Sequence, residues 1–288
     1  MKWWKRYQGK PALLVLGAIF YSGYRIFSRS VNTLSVRAIR LLEDVPAPQS
    51  TDRILVFAPH PDDETIAAGG YIYGARRAGA AVRMVLVTDG NRHGLKEHRY
   101  REFRNAAKIL GVSPAELRFW GYPDGALYAH RGSLPERVRA ELENFEPTVV
   151  VAAHPADRHP DHAVLGRVVG EELLGVSGAG HNVTGLFYLV HHPYYPQPKR
   201  IRPSSLLPPS AVLKSEERWQ RFWLTAEGKE AKRAAVKEYR SQTRNPFLRP
   251  VLLGSIRDNE LFSTTINNNV INANVFETEW PDKAGEGA

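Results

Sequence analysis

Short apolar segments alternate with amphipathic ones along most of the chain. The apolar runs have the length of buried strands, and they occupy residues 53–58, 81–88, 117–120, 148–153 and 184–190. The amphipathic segments have helical periodicity, and they occupy residues 64–78, 97–110, 134–145, 163–170 and 226–242. This order predicts an α/β fold, with a Rossmann-like and mostly parallel sheet flanked by helices.

The composition of the chain separates an N-terminal segment and a C-terminal tail from the predicted α/β domain. Residues 1–44 form a basic and apolar N-terminal segment that we expect to contain an apolar helix, and residues 45–275 form the folded domain. The stretch 196–213 is rich in proline and serine and is interpreted as a loop. The last forty residues are polar and are expected to be partly strand, with a loose tail over 276–288.

The formal net charge of +9 lies almost entirely at the N-terminus. The first forty residues contain eight lysines and arginines and no acidic residue, which leaves +1 for the other 248 residues. The folded domain is therefore nearly neutral and carries no nucleic-acid-binding signature, so we expect no nucleic-acid partner. The chain has no cysteine, which excludes disulfides, thiolate metal sites and a cysteine nucleophile.

An uncharged run over residues 11–24 lies between the N-terminal basic residues. A spanning helix needs about 20 apolar residues, so this run is short unless flanking tryptophan, lysine and arginine side chains reach the interfaces. We interpret residues 1–30 as a membrane anchor or as an interfacial helix on an anionic bilayer. A signal peptide and a helix packed on the domain are the alternatives. The domain itself is expected to be cytoplasmic.

The segment 58–64, Ala-Pro-His-Pro-Asp-Asp-Glu, places one imidazole and three carboxylates at a predicted strand-to-helix turn. Open α/β sheets bind their ligands at such turns. No packing role requires so many ionisable groups together, whereas imidazole and carboxylate are both good zinc ligands. A further carboxylate at the same turn can act as a base on metal-activated water.

A second cluster, His154-Pro-Ala-Asp-Arg-His-Pro-Asp-His162, follows the apolar run 148–153. It also precedes an apparent helix. Because the carboxyl ends of parallel strands lie at one edge of a sheet, the two clusters can converge there. Together they predict a metal site built from both loops.

These two clusters, in this order and each at a strand end, resemble the motifs of the PIG-L/LmbE-like deacetylases, a family of zinc-dependent N-deacetylases acting on N-acetylglucosamine-containing substrates. The family's A-H-P-D-D-E motif stands at 58–64 with one additional proline, and its H-P-D-H motif stands at 159–162. The resemblance extends over about residues 52–245. Three shorter motifs also match, Thr88-Asp-Gly90, Gly121-Tyr-Pro-Asp-Gly125 and Tyr239-Arg-Ser-Gln242.

The resemblance implies that His60, Asp63 and His162 bind zinc, which leaves a ligand position open for water. Fe²⁺ also suits such a His-Asp-His set. Spacing alone does not decide which of Asp62 and Asp63 is the ligand, and the resemblance makes Asp62 the general base. Asp63 as a simple helix cap is the alternative. Glu64 is interpreted as a first-turn carboxylate favoured by the helix dipole.

His159 is expected to stabilise the oxyanion of the reaction as a protonated imidazole. Asp161 is expected to orient and charge His159, and the alternative is that it only begins the following helix. His154 is expected to support the site or to face the substrate.

Two arginines, Arg99 and Arg101, compete for the family's substrate-binding position, and we prefer Arg99. A solvated helix face is the alternative for both. Asp124 lies in a tight turn, where aspartate is common for structural reasons, and the resemblance makes it a candidate contact to a sugar hydroxyl.

The chain is therefore predicted to hydrolyse the acetamido group of an N-acetylated amino sugar, releasing acetate and a free amine. The substrate is a small molecule or a lipid-linked amino sugar. Two alternatives stay open, a non-catalytic membrane-associated binding protein of the same fold and a non-haem Fe(II) enzyme. Asp62 argues against the first, because a binding protein needs no base that is not a ligand.

Overall fold

The computed structural model describes residues 10–31, 36–91, 94–178, 182–192, 195–196, 204–209 and 218–265. Within these residues, the fold is built around one eight-stranded sheet. The strands are β1 Glu43–Asp44, β2 Arg53–Ala58, β3 Ala81–Thr88, β4 Leu117–Tyr122, β5 Val149–Ala153, β6 Thr184–Tyr188, β7 Arg218–Trp223 and β8 Asn259–Thr265. Their order across the sheet is β1-β7-β8-β6-β5-β2-β3-β4. Strands β4, β3, β2, β5 and β6 pair in parallel, and β8 runs antiparallel to both of its neighbours. The predicted mostly parallel α/β sheet is confirmed.

Helices cover both faces of this sheet. The α-helices are α1 Lys10–Val31, α2 Asp63–Ala78, α3 Lys96–Ile109, α4 Leu134–Phe145, α5 Pro160–Gly178, α6 Ala226–Glu238, α7 Arg240–Thr243 and α8 Arg249–Gly254. Short 3-10 helices occupy Val36–Leu41, Pro114–Glu116 and Leu127–His130.

Each face of the sheet has its own apolar core, because successive side chains of a strand point to opposite sides. In β2, Ile54 and Val56 join the core beneath α2, α3 and α6, whereas Leu55 and Phe57 join the core beneath α4 and α5. The strands are buried on both faces, as parallel sheets usually are. The loops that leave the carboxyl ends of β2, β3, β5 and β6 therefore meet at one edge, which we call the carboxyl edge.

Some elements differ from those expected. The predicted helix over 226–242 is interrupted at Tyr239, whose φ of −77° and ψ of 63° separate α6 from α7. Strand β7 was not anticipated, and β8 is the strand expected within the last forty residues. The predicted tail over 276–288 lies outside the described residues.

The N-terminal apolar run lies within helix α1. The described side chains of this helix, residues 14–24, are all exposed. In the part of the chain that the structure describes, no helix has both the length and the apolar character that crossing a membrane requires.

Candidate metal centre and active site

The turn between β2 and α2 is held in place by the end of β3. Thr88 donates to the carbonyl of Pro59 from its backbone N, at 3.0 Å, and from its hydroxyl, at 2.7 Å. Gly90 has a φ of 60°, and a Cβ there would lie 3.0 Å from the Pro61 ring. Glycine thus allows the two loops to approach closely. Asp62 has a φ of 120°, a strained value for a non-glycine residue that is typical of functional sites.

Three potential ligand atoms converge between this turn and the start of α5. His60 Nδ1 lies 3.2 Å from both Asp63 Oδ2 and His162 Nε2, and the latter two atoms are 2.9 Å apart. Ligand atoms around a tetrahedral Zn²⁺ with bonds of about 2.0–2.1 Å are themselves about 3.3 Å apart. The spacing of these three atoms therefore fits one face of such a coordination sphere.

The opposite nitrogen of each histidine faces a buried carboxylate. His60 Nε2 lies 3.0 Å from Asp161 Oδ2. His162 Nδ1 lies 3.3 Å from Asp157 Oδ2, although the angle is too poor for a well-formed hydrogen bond. Metal-binding histidines usually place a carboxylate or carbonyl behind the ring in this way, which turns the other nitrogen toward the metal.

Charges in the cluster favour a cation at this point. Burial lowers the pKa of His60, but Asp161 and Asp63 outweigh burial and raise it to about 9. Burial also lowers the pKa of His162, yet Asp63 and Asp157 raise it well above its usual value. Burial raises the pKa of Asp63, whereas His162 brings it well below its usual range. The carboxylates thus attract protons to the same nitrogens that a divalent cation would occupy.

Further side chains surround the same point. Three overlapping groups of side chains have ligand atoms within 4.8 Å of one another, and they are His60–His159–His162, Asp63–His162–His191 and His60–Asp124–Asp161. His159 is half-buried and His191 is exposed, whereas His60, Asp63 and His162 are buried. His159 and His191 therefore lie on the side of the centre that is accessible to solvent.

Asp62 lies beside the three ligand atoms and is paired with Arg99. The guanidinium of Arg99 lies 3.4 Å from Asp62 Oδ2 and also donates to the carbonyl of Pro61. Burial raises the pKa of Asp62 and Arg99 lowers it, with a net value of about 7. A carboxylate with such a pKa can both accept and release a proton near neutral pH.

The two loops that carry His60, His159 and His162 lie within the part of the chain that matches a known protein family. Residues 55–172, from β2 into α5, match the family model described as PIG-L, GlcNAc-PI de-N-acetylase. Over this stretch the chain is similar to PIG-L proteins. This confirms the resemblance drawn from the two sequence motifs.

Known proteins similar to this chain include named deacetylases. A probable N-acetyl-alpha-D-glucosaminyl L-malate deacetylase 2 of Bacillus anthracis is 29% identical over 151 residues, which are 48% of this chain and 65% of that protein. The match thus spans less than two thirds of that relative.

Solved structures share the fold. The N,N'-diacetylchitobiose deacetylase from Pyrococcus horikoshii has a TM-score of 0.54 at 21% identity, covering 86% of this chain and 93% of that one. The zinc-inhibited form of a teicoplanin deacetylase also has a TM-score of 0.54, at 16% identity, covering 75% of this chain and 99% of that one.

The carboxyl edge brings together most residues singled out in the sequence. Of the two competing arginines, Arg99 is buried against Asp62, whereas Arg101 is exposed on α3. Asp124 also lies at the site, with its Oδ1 3.4 Å from His60 Nε2.

The expected pairing of Asp161 with His159 is wrong. The carboxylate of Asp161 contacts His60 and accepts hydrogen bonds from the backbone N of Gly125, at 2.8 Å, and of Leu127, at 3.0 Å. Residues two apart at a helix start do not face each other, which explains the difference. Asp161 therefore orients His60.

The charges around His159 do not favour the protonation expected of it, which stays a prediction. Burial lowers the pKa of His159, and positive charge at His60 and His162 lowers it further, to about 3. Its Nδ1 accepts a hydrogen bond from the backbone N of Asp161 at 3.3 Å, which places the proton of the neutral ring on Nε2. In its neutral form His159 is thus a hydrogen-bond donor at Nε2.

His154 does not face a substrate. Its ring is 2% exposed and stacks on Trp219 with centroids 5.4 Å apart. Its Nδ1 accepts from the backbone N of Ala156 at 3.0 Å. His154 thus stabilises the start of the second loop.

Sequence reasoning missed Asp157, which lies within the second motif but received no role. One carboxylate oxygen accepts from the backbone N of Val190 at 2.8 Å and of His191 at 2.9 Å, and the other accepts from that of His159 at 2.9 Å. Asp157 thus connects the second loop to the end of β6 and lies behind His162.

A buried network supports the strained backbone of Asp62. Glu64 accepts from the backbone N of Asp62 at 3.2 Å, from Thr65 Oγ1 at 2.6 Å and from the hydroxyl of Tyr239. The helix-dipole interpretation of Glu64 is incomplete, because its carboxylate also links Asp62 to the break between α6 and α7.

Proposed function

We propose that this protein is a metal-dependent N-deacetylase that removes the acetyl group from an N-acetylglucosamine-type conjugate. The convergence of His60, Asp63 and His162 within 3.2 Å, with Asp62 beside them, carries the proposal. Proteins with similar sequences or folds, named as deacetylases of N-acetylglucosaminyl malate and of diacetylchitobiose, support this class of substrate.

Zn²⁺ is the metal that the donor set favours. Two imidazole nitrogens and one carboxylate oxygen at tetrahedral spacing suit zinc and leave a position open. Fe²⁺ uses the same donor types, and metal analysis of the purified protein distinguishes the two. When bound, the metal supplies Lewis-acid polarisation of the amide carbonyl and makes a water molecule more acidic.

Asp62 is the proposed base. Its carboxylate accepts the proton of the attacking water and later gives it to the departing amine, for which a pKa of about 7 is well suited. Arg99 favours the ionised form of Asp62, and Glu64 holds its backbone.

His159 and the flanking carboxylates complete the machinery. The Nε2–H of His159 donates to the developing oxyanion of the substrate. Asp161 and Asp157 keep the two ligand rings oriented. Asp124 is proposed to accept a hydrogen bond from a sugar hydroxyl.

The first test is amine release with Asp62→Asn beside the wild-type protein. The substrate panel contains N-acetylglucosaminyl malate, N-acetylglucosaminyl-inositol, its phospholipid form and diacetylchitobiose. We expect Asp62→Asn to retain zinc and to lose at least a hundredfold in kcat, because general-base catalysis contributes about 10²–10⁴. His162→Ala is expected to lose the metal itself.

The zinc content of both variants makes the test decisive. Equal loss of zinc in Asp62→Asn and His162→Ala would show that ligand and base are assigned wrongly. A zinc-loaded wild type that binds panel members without turning any over would favour the non-catalytic binding protein.

We further propose that residues 1–30 attach the protein peripherally to anionic membranes and that the domain lies on the cytoplasmic side. Helix α1 exposes Leu14, Leu16, Ile19 and Phe20 by 60–85%. Basic residues flank this apolar run on both sides, which suits an interfacial helix. A lipid-linked amino sugar would be accessible to an enzyme attached in this way.

A further inference from the structure

A short surface segment, residues 244–251, exposes apolar side chains between arginines. We call it the Phe247 segment. Phe247 is 84% exposed, Leu248 39% and Val251 37%, although the same stretch leads directly into the buried Leu252. Large apolar side chains are exposed singly on many proteins, but three within five residues form a patch that fits an interaction surface.

The charged residues within the Phe247 segment and directly before it along the chain are all basic. Arg244 and Arg249 lie within it and are exposed, and Arg240 precedes it on the exposed side of α7. The chain carries no acidic residue between Glu238 and Asp258. Apolar side chains interspersed with arginines fit a partner that is both apolar and anionic.

The segment lies close to the candidate active site. Val251 lines a narrow crevice together with Ile66 and Ala67, which follow the ligand Asp63 on α2. Val190 lines the same crevice, and its backbone N donates to Asp157 behind His162. The Phe247 segment is thus adjacent to the carboxyl edge where the metal ligands converge.

We propose that the Phe247 segment is a membrane-docking surface whose occupant is an anionic lipid bilayer. The apolar side chains enter the interfacial layer, and the arginines contact lipid headgroups. Residues 1–40 have the same character, with eight basic residues, no acidic ones and an apolar run. A second contact on the domain itself orients the active site toward the bilayer, whereas an N-terminal helix alone leaves the domain free to turn.

The absence of cysteine from the chain makes site-specific labelling direct. An environment-sensitive fluorophore is attached to Phe247→Cys in the full-length protein. The control label is on Ala115→Cys, an exposed position in the 3-10 helix Pro114–Glu116 that precedes β4 at the opposite edge of the sheet. Vesicles contain phosphatidylcholine alone or with about 30% phosphatidylserine.

We expect the emission of the label at 247 to shift to the blue with anionic vesicles and the label at 115 to stay unchanged. An unchanged label at 247 overturns the proposal, whether or not the protein sediments with vesicles. A shift at both positions also overturns it, because the domain then has no fixed orientation. A shift with polyglutamate but not with vesicles assigns the surface to an acidic protein instead. None of these outcomes depends on deacetylase activity.

A charge-matched pair of variants tests the arginines. Arg244→Gln with Arg249→Gln should lower the partition coefficient onto anionic vesicles roughly ten- to thirtyfold, since each basic residue near the surface contributes about 1 kcal/mol. Arg77→Gln with Lys108→Gln removes the same charge at the exposed last turns of α2 and α3 and should have a much smaller effect. Equal losses in the two pairs would mean that net charge alone drives binding, and the docking surface would be refuted.

Discussion

Each proposed histidine ligand has its own supporting carboxylate, and the two carboxylates are fixed differently. Asp161 is held by two backbone N–H groups of the loop after β4, whereas Asp157 is held by the end of β6. We expect Asp157→Asn and Asp161→Asn each to weaken metal binding about 10–100-fold, because the rings lose the groups that orient them. Competition with a chelator measures this affinity. Asp258→Asn, at a half-buried ion pair with Lys229, is the control and should bind metal normally.

The ionisation of Asp62 predicts an acidic limb in the pH profile. Asp62 must be deprotonated to act as a base, so kcat/KM should rise with pH up to its pKa and then level off. Burial raises that pKa and Arg99 lowers it, to about 7, and a bound cation lowers it further, so the limb should lie at or below pH 7. Arg99→Gln should move the limb to higher pH. An identical limb in both proteins would contradict the assignment of Asp62.

At the scale of single residues, the sequence predicted the residues of the candidate metal centre better than the carboxylates that hold them in position. His60, Asp63 and His162 were singled out because two motifs at strand ends resemble those of a known family, and spacing alone did not separate Asp63 from Asp62. Asp157 was missed because its partners at Val190 and His191 are 33 and 34 residues away, beyond α5. Asp161 was assigned to the wrong histidine because proximity along the chain does not show which way a helix turns a side chain.

Helix α5 approaches the end of β5 so closely that only glycine fits at one position. A Cβ on Gly166 would lie 2.3 Å from the carbonyl oxygen of Ala153 and 2.9 Å from the backbone N of Pro155. We expect Gly166→Ala to lower the free energy of unfolding by about 1–3 kcal/mol. Metal affinity should fall as well, because the displaced helix carries His162. Urea unfolding and chelator competition measure the two effects.

The same helix contains a matched control. A Cβ on Gly175 meets nothing within 4 Å. Gly175→Ala should therefore stabilise the protein by up to about 1 kcal/mol, as alanine does in helix interiors. A destabilisation of similar size at both positions would show that the contact with the end of β5 is unimportant.

Elements with strong periodicity were predicted closely, and those that depend on tertiary partners were not. The strands over 53–58 and 81–88 and the helix over 134–145 have the bounds read from the sequence. Strand β7 was missed because its burial follows no alternation, with Trp219 and Gln220 both buried. The break at Tyr239 was missed because it depends on the contact of the tyrosine hydroxyl with Glu64.

At the scale of the whole molecule, the N-terminal segment is proposed to determine membrane attachment, and the rest of the chain is proposed to determine activity. Removal of residues 1–30 should shift the protein from the membrane fraction toward the supernatant, since six of the eight basic residues among the first forty are lost with them. Turnover of a soluble substrate should be unchanged, because the site is built by residues after 55. Fractionation with and without the segment, together with amine release, measures both. Identical fractionation would exclude this attachment.

The backbone conformation of Asp62 lowers the stability of the fold at a residue that the proposed reaction requires. A φ of 120° at a non-glycine residue costs on the order of 1–3 kcal/mol, and glycine adopts such values almost freely. A population of variants selected for heat resistance alone should therefore accumulate glycine at position 62 and lose the proposed base. Under the proposed mechanism, turnover favours aspartate at this position, so a lineage that no longer requires turnover should lose this residue early.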